Sequence, residues 1–391
     1  MRSSARTFAL LAGLGLLSTI ARAEPADHPA PHLPLGKKLI EYGWDVPTVA
    51  QMHDRLAAME KRPFDGVIFR FSGGHNAFVT RPLEPAGFTE EERILRELNF
   101  ARFTSNFVLI WGSPPADFDW FDDTQWAAIE GNAKLLAGVA QAGRVQGICF
   151  DPEPYDFSLW DYAKQPQTKM RTFADYRAKV RERGAQLMRA FEKSMPGATI
   201  LTFFHLSLYD RFATLPERER AERLAREAWG LMPDFFIGML DSASPKARFI
   251  DGNENAYYYT SREQYFRAYH AIHERARGLV PPELREKYER QVQAGQALYV
   301  DQNFALREPV KDYLSSRMTP EERTRWFEHN TYWALYTTDE YVWCYSEKMN
   351  WWKDQTPPGL EQAIVNARQK IAEGTPLGFD IEPVLEAAGK R

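Results

Sequence analysis

Val145-Gln146-Gly147-Ile148-Cys149-Phe150-Asp151-Pro152-Glu153-Pro154-Tyr155 is a short apolar run that ends in two carboxylates and two prolines. Val, Ile and Phe favour a pleated, packed surface, so the run reads as a buried strand. Pro152 has no N–H to give to a neighbouring strand, and pairing must stop about there. Residues two apart on extended chain point the same way, which sends Asp151 and Glu153 to one side with Tyr155 beside them. An acid pair at the carboxyl end of a buried strand is a candidate active site, provided the rest of the chain supplies a matching fold.

Working outward, the same unit repeats. Strand-like runs at 38–42, 66–71, 106–111, 145–151, 198–205, 234–240, 296–300 and 340–345 alternate with helical patterns. The helices fall at 49–61, 89–101, 124–142, 173–193, 217–232, from 262 onward, 321–336 and 360–373. Pro47 lies near the first helix start, and Thr89-Glu90-Glu91-Glu92 reads as an N-cap followed by acids in the first turn. Nearly continuous apolar strands separated by helices imply a parallel sheet covered on both faces. Eight such units in roughly 340 residues predict an α/β fold, a (β/α)8 TIM barrel. It would form a single domain over residues 36–391, with long loops at the C-terminal face. The rival fold, a doubly wound open sheet, expects a Gly-x-Gly-x-x-Gly turn after the first strand, which is missing.

The start of the chain reads differently. Arg2 and Arg6 precede the apolar run from Phe8 to Ile20, and Ala21-Arg22-Ala23 follows, the layout of a signal peptide spanning 1–23. Residues 24–35 are rich in Pro, Ala and His and read as a disordered leader. A secreted or periplasmic protein is expected, with no membrane attachment after cleavage, since the apolar run is short for a bilayer span. Removing 1–23 takes three arginines and no acid, moving the formal charge from −4 to −7, with 46 basic residues against 53 acidic. That balance disfavours nucleic acid and anionic lipid as partners. It leaves the oligomeric state open. Cys149 and Cys344 fall on the fourth and eighth strands, opposite each other across a barrel. A disulfide needs Cα atoms within about 7 Å, so two buried free thiols are expected.

In a barrel of this kind, chemistry gathers at the carboxyl ends of the strands. Those positions hold Trp44 and Asp45, Arg70, Trp111, Asp151 and Glu153, His205, Asp241, Asp301, and Tyr345 with Glu347. Tyr155 and Trp351 join them from the following loops as substrate contacts. The ring is acidic, aromatic and hydrogen-bonding. No Gly-rich loop offers backbone N–H groups to a phosphate. No His-x-His and no second histidine near His205 suggest a metal, and no cofactor is expected. The tyrosine run Tyr257-Tyr258-Tyr259 cannot face one way throughout, so at least one ring is free to line a cleft.

Breaking a glycosidic bond needs a protonated carboxyl at the leaving oxygen and a second group to meet the positive charge at the sugar carbon. Glu153 suits the first role, as general acid/base. Asp151, about 7 Å behind it along the strand axis, assists by like-charge repulsion or by orienting a substrate group. An Asp-x-Glu at the end of a fourth barrel strand resembles the family 18 chitinases and related exported glycoside hydrolases. In that family the Glu is the proton donor, and the Asp two residues earlier helps the substrate's N-acetyl group attack. The resemblance implies these roles for Glu153 and Asp151. The fuller Asp-x-x-Asp-x-Asp-x-Glu motif reads Gln146, Cys149 and Asp151 at its first three acids, and the sixth-strand Met-x-Tyr-Asp keeps Asp241 with Leu240 at the tyrosine position.

A second layout pairs a strand-four acid/base with a carboxylate on a later strand. Glu347, beside Tyr345, Trp351 and Trp352, is the preferred partner, although Lys348 could claim it as a salt bridge; Asp301 and Asp241 are in reserve. The expected function is an exported glycoside hydrolase acting on carbohydrate. The alternatives are a non-catalytic glycan-binding barrel, or a polysaccharide lyase or esterase using His205 and Arg70.

Overall fold

The computed structural model describes residues 36–307 and 313–391. The signal peptide and leader expected over 1–35 lie outside the described residues. Nine parallel strands form one sheet: β1 Lys38–Gly43, β2 Gly66–Phe69, β3 Phe107–Trp111, β4 Gly147–Asp151, β5 Thr199–Thr202, β6 Arg248–Asp251, β7 Val292–Ala294, β8 Gln296–Tyr299 and β9 Tyr341–Ser346. β7 and β8 are two halves of one barrel strand. The first half pairs with β6 and the second with β9, while β9 pairs with β1. Gly295 makes the switch. Its N–H donates to Asp251 O at 2.8 Å, and a Cβ there would meet Ile250 Cγ2 at 2.8 Å. The sheet thereby closes into an eight-staved barrel, as the alternation predicts.

Which side chains enter the barrel follows from contacts across it. Phe107 on β3 meets Tyr341 on β9 at 5.2 Å, and Tyr42 on β1 stacks on Phe203, just past β5, at 4.9 Å. Side chains alternate along a strand, and partners in register share a face. Ile68 pairs with Phe107 and Trp111 with Asp151, so Ile68, Arg70, Trp111 and Asp151 face inward. Cys149 shares the inward face with Asp151, while Cys344 faces the helical layer; both are buried free thiols, as expected.

The surrounding helices are α1 Val49–Met59, α2 Thr89–Glu97, α3 Asp123–Ala142, α4 Phe173–Ser194, α5 Glu217–Leu224, α6 Met232–Ser242, α7 Arg262–His270 and α8 Arg285–Gln291. They continue with α9 Val300–Phe304, α10 Pro320–Thr337, α11 Leu360–Glu373 and α12 Glu382–Lys390. Thr48, Thr172 and Thr319 cap α1, α4 and α10 with reciprocal capping boxes.

One expectation fails with consequences. The run 234–240 is not the sixth strand but the middle of α6, buried from Met232 to Leu240. A continuous apolar run carries no period that separates a buried helix from a buried strand. α6 lies unusually close to α4. A Cβ on Gly184 would fall 2.1 Å from Phe235 O, and one on Gly238 would fall 1.9 Å from Arg181 O. The true sixth strand is Arg248–Asp251, inside the segment read as irregular. The helix expected over 217–232 stops at Leu224, and α12 follows the helix read as the last.

The seam between chain ends is tied by charge. Asp65, just before β2, accepts two hydrogen bonds from the buried Arg368 of α11, both at 2.8 Å, and one from Leu39 N–H. Burial alone would raise Asp65, but the guanidinium and the N–H outweigh it and hold the carboxyl below its ordinary range.

Candidate active site

β4 delivers its acids as the sequence reading expects. Asp151 ends the strand fully buried, and its Oδ1 accepts the Glu153 N–H at 2.9 Å, turning the chain at Pro152. Trp160 Nε1 donates to Pro152 O at 2.7 Å and braces that turn from behind. Tyr155 folds back over it. Its Oη lies 2.9 Å from Asp151 Oδ2 and 2.7 Å from Glu153 Oε2, and its ring leans on Trp111 at 5.1 Å.

A phenol has one proton to donate. With two carboxyl oxygens in range, one of these contacts needs a proton that sits on a carboxyl. Burial, then the charge of Glu153, pushes Asp151 up to about 7. Asp151 therefore holds the proton and donates to Tyr155 Oη, which donates in turn to Glu153.

A carboxylate that the sequence reading did not single out couples to Glu153. Glu254 follows β6, and Glu153 raises its pKa by direct charge interaction, second only to burial, taking it up to about 7. Asp151 feels the same residue. Asp251 and Asn253 present it. Asp251 is fully buried, accepts from Ser207 N–H at 3.1 Å and Asn253 N–H at 3.3 Å, and so anchors the loop. Asn253 adopts φ +46°, a left-handed turn that Asn tolerates, and its amide donates to Gln296 Oε1 at 2.8 Å. The next N–H, of Glu254, donates to Phe203 O at 2.9 Å. Sequence reading missed Glu254 because it placed the sixth strand too early. The signal was present: Phe249-Ile250-Asp251 repeats the apolar-then-aspartate ending of Cys149-Phe150-Asp151.

Glu347 has partners of its own, though Tyr345 feels its charge together with those of Glu153 and Glu254. Tyr299 Oη donates to its Oε1 at 3.0 Å and Arg307 Nε lies 3.6 Å from Oε2, while the Lys348 ammonium sits 4.5 Å over the Trp44 ring instead of pairing with it. Asp301 is a scaffold residue, both carboxyl oxygens taken by the N–H groups of Glu347 and Lys348 at 2.8 and 2.9 Å. Asp45 likewise accepts Trp351 N–H at 2.7 Å.

Three placements are corrected. Asp241 is not at a strand end; it lies at the end of α6, where Arg181 pairs with it at 2.9 Å. Trp351 does not line the mouth but is fully buried, edge-on to Phe64 at 4.8 Å. His205 is buried 4.3 Å from Phe236 with neither ring nitrogen hydrogen-bonded, and burial takes its pKa down to about 3. It is a neutral core group, which is neither a substrate contact nor the hydrogen-bonded strand-end histidine that the type suggests.

Aromatic rings complete the mouth. Tyr257 stacks on Tyr299 at 4.7 Å and on Tyr345 at 5.5 Å, and Tyr345 lies 5.4 Å from Tyr42. Of the tyrosine run, Tyr257 is buried in this group and Tyr258 is exposed. A cleft of about 250 Å³ opens beside Glu254, walled by Phe204, Leu208, Trp229 and Tyr258. Its lining includes none of Asp151, Glu153 or Tyr155. Among the described residues no group of three or more His, Cys, Asp or Glu is placed to hold a metal ion, and no helix is long and apolar enough to cross a membrane.

No family model and no curated protein matches the chain. Among solved structures, it matches a native Bacteroidetes-affiliated GH5 cellulase linked with a polysaccharide utilization locus. The identity is 12%, the TM-score 0.44, and the alignment covers 90% of this chain and 96% of that one. Likeness at this level says nothing of activity. The family 18 resemblance gains no support, and the residues aligned with that family's sixth-strand motif lie on the outer helix α6.

Proposed function

We propose that this chain is an exported glycoside hydrolase in which Glu153 is the general acid/base and Glu254 the opposing carboxylate. The observation that carries the reading is the Asp151–Tyr155–Glu153 chain of hydrogen bonds, which keeps an exchangeable proton within reach of Glu153. In the first step the proton held by Asp151 relays through Tyr155 to Glu153 and on to the glycosidic oxygen as the sugar C1–O bond breaks. Glu254, ionised, meets the charge at C1, directly or through a water that it deprotonates. In the direct route a water then displaces Glu254 from C1, and its proton returns through Glu153 and Tyr155 to Asp151; in the water-mediated route the water's proton stays on Glu254 until solvent removes it. The product anomer separates the direct from the water-mediated route.

Glu153→Gln and Glu254→Gln test the pair on a glycan panel. Each is expected to lower kcat by about 10²–10⁴, the usual contribution of a positioned acid or base. Equal turnover by wild type and Glu153→Gln would overturn the assignment, and binding without product would make the barrel a glycan-binding protein. The lyase or esterase reading loses ground because the buried His205 is out of reach as a base at the mouth.

A further inference from the structure

The mouth has two electrically different sides. The carboxyls Asp151, Glu153 and Glu254 come from β4 and β6; the β9–β1–β2 side carries Asp45 and Glu347, both held by partners of their own, and two cations with no counter-ion among the described residues. Arg70 continues the inward face of β2 and is only partly exposed, yet its guanidinium makes no hydrogen bond or ion pair among the described residues. Lys348 follows β9 and rests on the exposed Trp44, its ammonium likewise in no ion pair among the described residues. Such pairing is common elsewhere: Arg62, Arg93, Arg177, Arg181, Arg183 and Arg368 each hold a carboxylate.

Neither ring beside Arg70 supplies a counter-charge. His75 lies 4.4 Å from Trp111, and burial together with the Arg70 charge lowers its pKa to about 4, so it stays neutral. Trp111 Nε1 is buried without an acceptor. A partly desolvated guanidinium is costly to leave unpaired, and its planar fork suits a two-oxygen anion.

We infer that Arg70, with Lys348 on the same rim, is a subsite for an anionic substituent on the sugar chain, a uronate carboxylate or a sulfate ester. This rests on the proposed hydrolase reading and names its substrate class as acidic glycans. Neutral sugars alone would leave both cations unanswered.

The test uses the full chain and three probes sharing one backbone: a uronate-containing oligosaccharide, its carboxyl-reduced neutral twin, and a sulfated form of the twin. Calorimetric binding and turnover are measured for wild type and Arg70→Gln. Wild type is expected to prefer an anionic probe over the neutral twin by roughly tenfold or more, the scale of one charge-assisted hydrogen bond, and less so at high salt. Arg70→Gln is expected to abolish that preference, losing at least roughly tenfold more on the anionic probe than on the neutral twin. The arm that shows the preference tells carboxylate from sulfate. Failure of every anionic probe to bind, equal handling of charged and neutral probes, or an equal loss on both in the variant would each overturn the subsite. Arg70-dependent binding without hydrolysis would leave the subsite standing and overturn the hydrolase reading. Hydrolysis confined to neutral chains would do the reverse.

Discussion

Tyr155 is the residue on which the proton economy of the mouth turns. Burial and then the Glu153 charge raise the Asp151 pKa, and Tyr155 Oη accepts the proton that Asp151 keeps. Tyr155→Phe removes that acceptor and cuts the path from Asp151 to Glu153. The expected result is a kcat lowered roughly tenfold to a thousandfold, read from steady-state rates between pH 5 and 9. In wild type the two requirements meet near neutrality. Glu254 must lose its proton, which favours pH above about 7, and the Asp151–Glu153 pair must keep one, which favours pH below about 7. A narrow bell centred near pH 7 follows, and a flat profile across that range would contradict the roles assigned.

Stability carries the same signature. Glu254 titrates at about 4.5 when free and about 7 when folded. Between those values the folded chain binds more protons, so this contribution is fully present below about pH 4 and is lost as pH rises through 7. Glu254→Gln cannot ionise and escapes that loss. It is expected to unfold at higher temperature than wild type at pH 8, by the equivalent of about 2 kcal/mol, and to match it near pH 4. A carboxylate kept at a cost to the fold is what a working group looks like.

Among the elements, the contact between α4 and α6 is the least forgiving. Gly238 and Gly184 let two backbones approach where any Cβ would overlap a carbonyl. Gly238→Ala should cost about 2–3 kcal/mol of overpacking, seen as a lower denaturation midpoint with unchanged slope. This helix is also where the sequence misled. Strands such as Phe107–Trp111, bounded by clear helical patterns, were legible because period and punctuation agreed. The stretch around Phe235 and Phe236 has neither, being apolar on every side. Its misassignment moved Asp241 into the site and Glu254 out of it. Likewise Trp351 follows β9 as expected, but the burial of its ring depends on a contact with Phe64, nearly three hundred residues away in the chain, which no local pattern reports. Glu153 and Tyr155 were legible because the strand that presents them is also the one that announces them.

At the scale of the whole molecule, the barrel plan was readable from eightfold alternation alone, whereas the charge asymmetry of its mouth was not. Arg70 was visible as a strand-end cation. That no carboxylate among the described residues pairs with it is a fact about the other side chains around it, and only the folded arrangement contains it.

The stave that starts the ring, β1, is completed by β9, and the buried Asp65 is neutralised by Arg368 of the penultimate helix. The cylinder is therefore not finished until β9 has been made, nor its seam neutralised until α11 has followed. A nascent or truncated chain lacking β9 and α11 would present two raw sheet edges and an uncompensated acid. It would have to be kept from its neighbours rather than trusted to work in part.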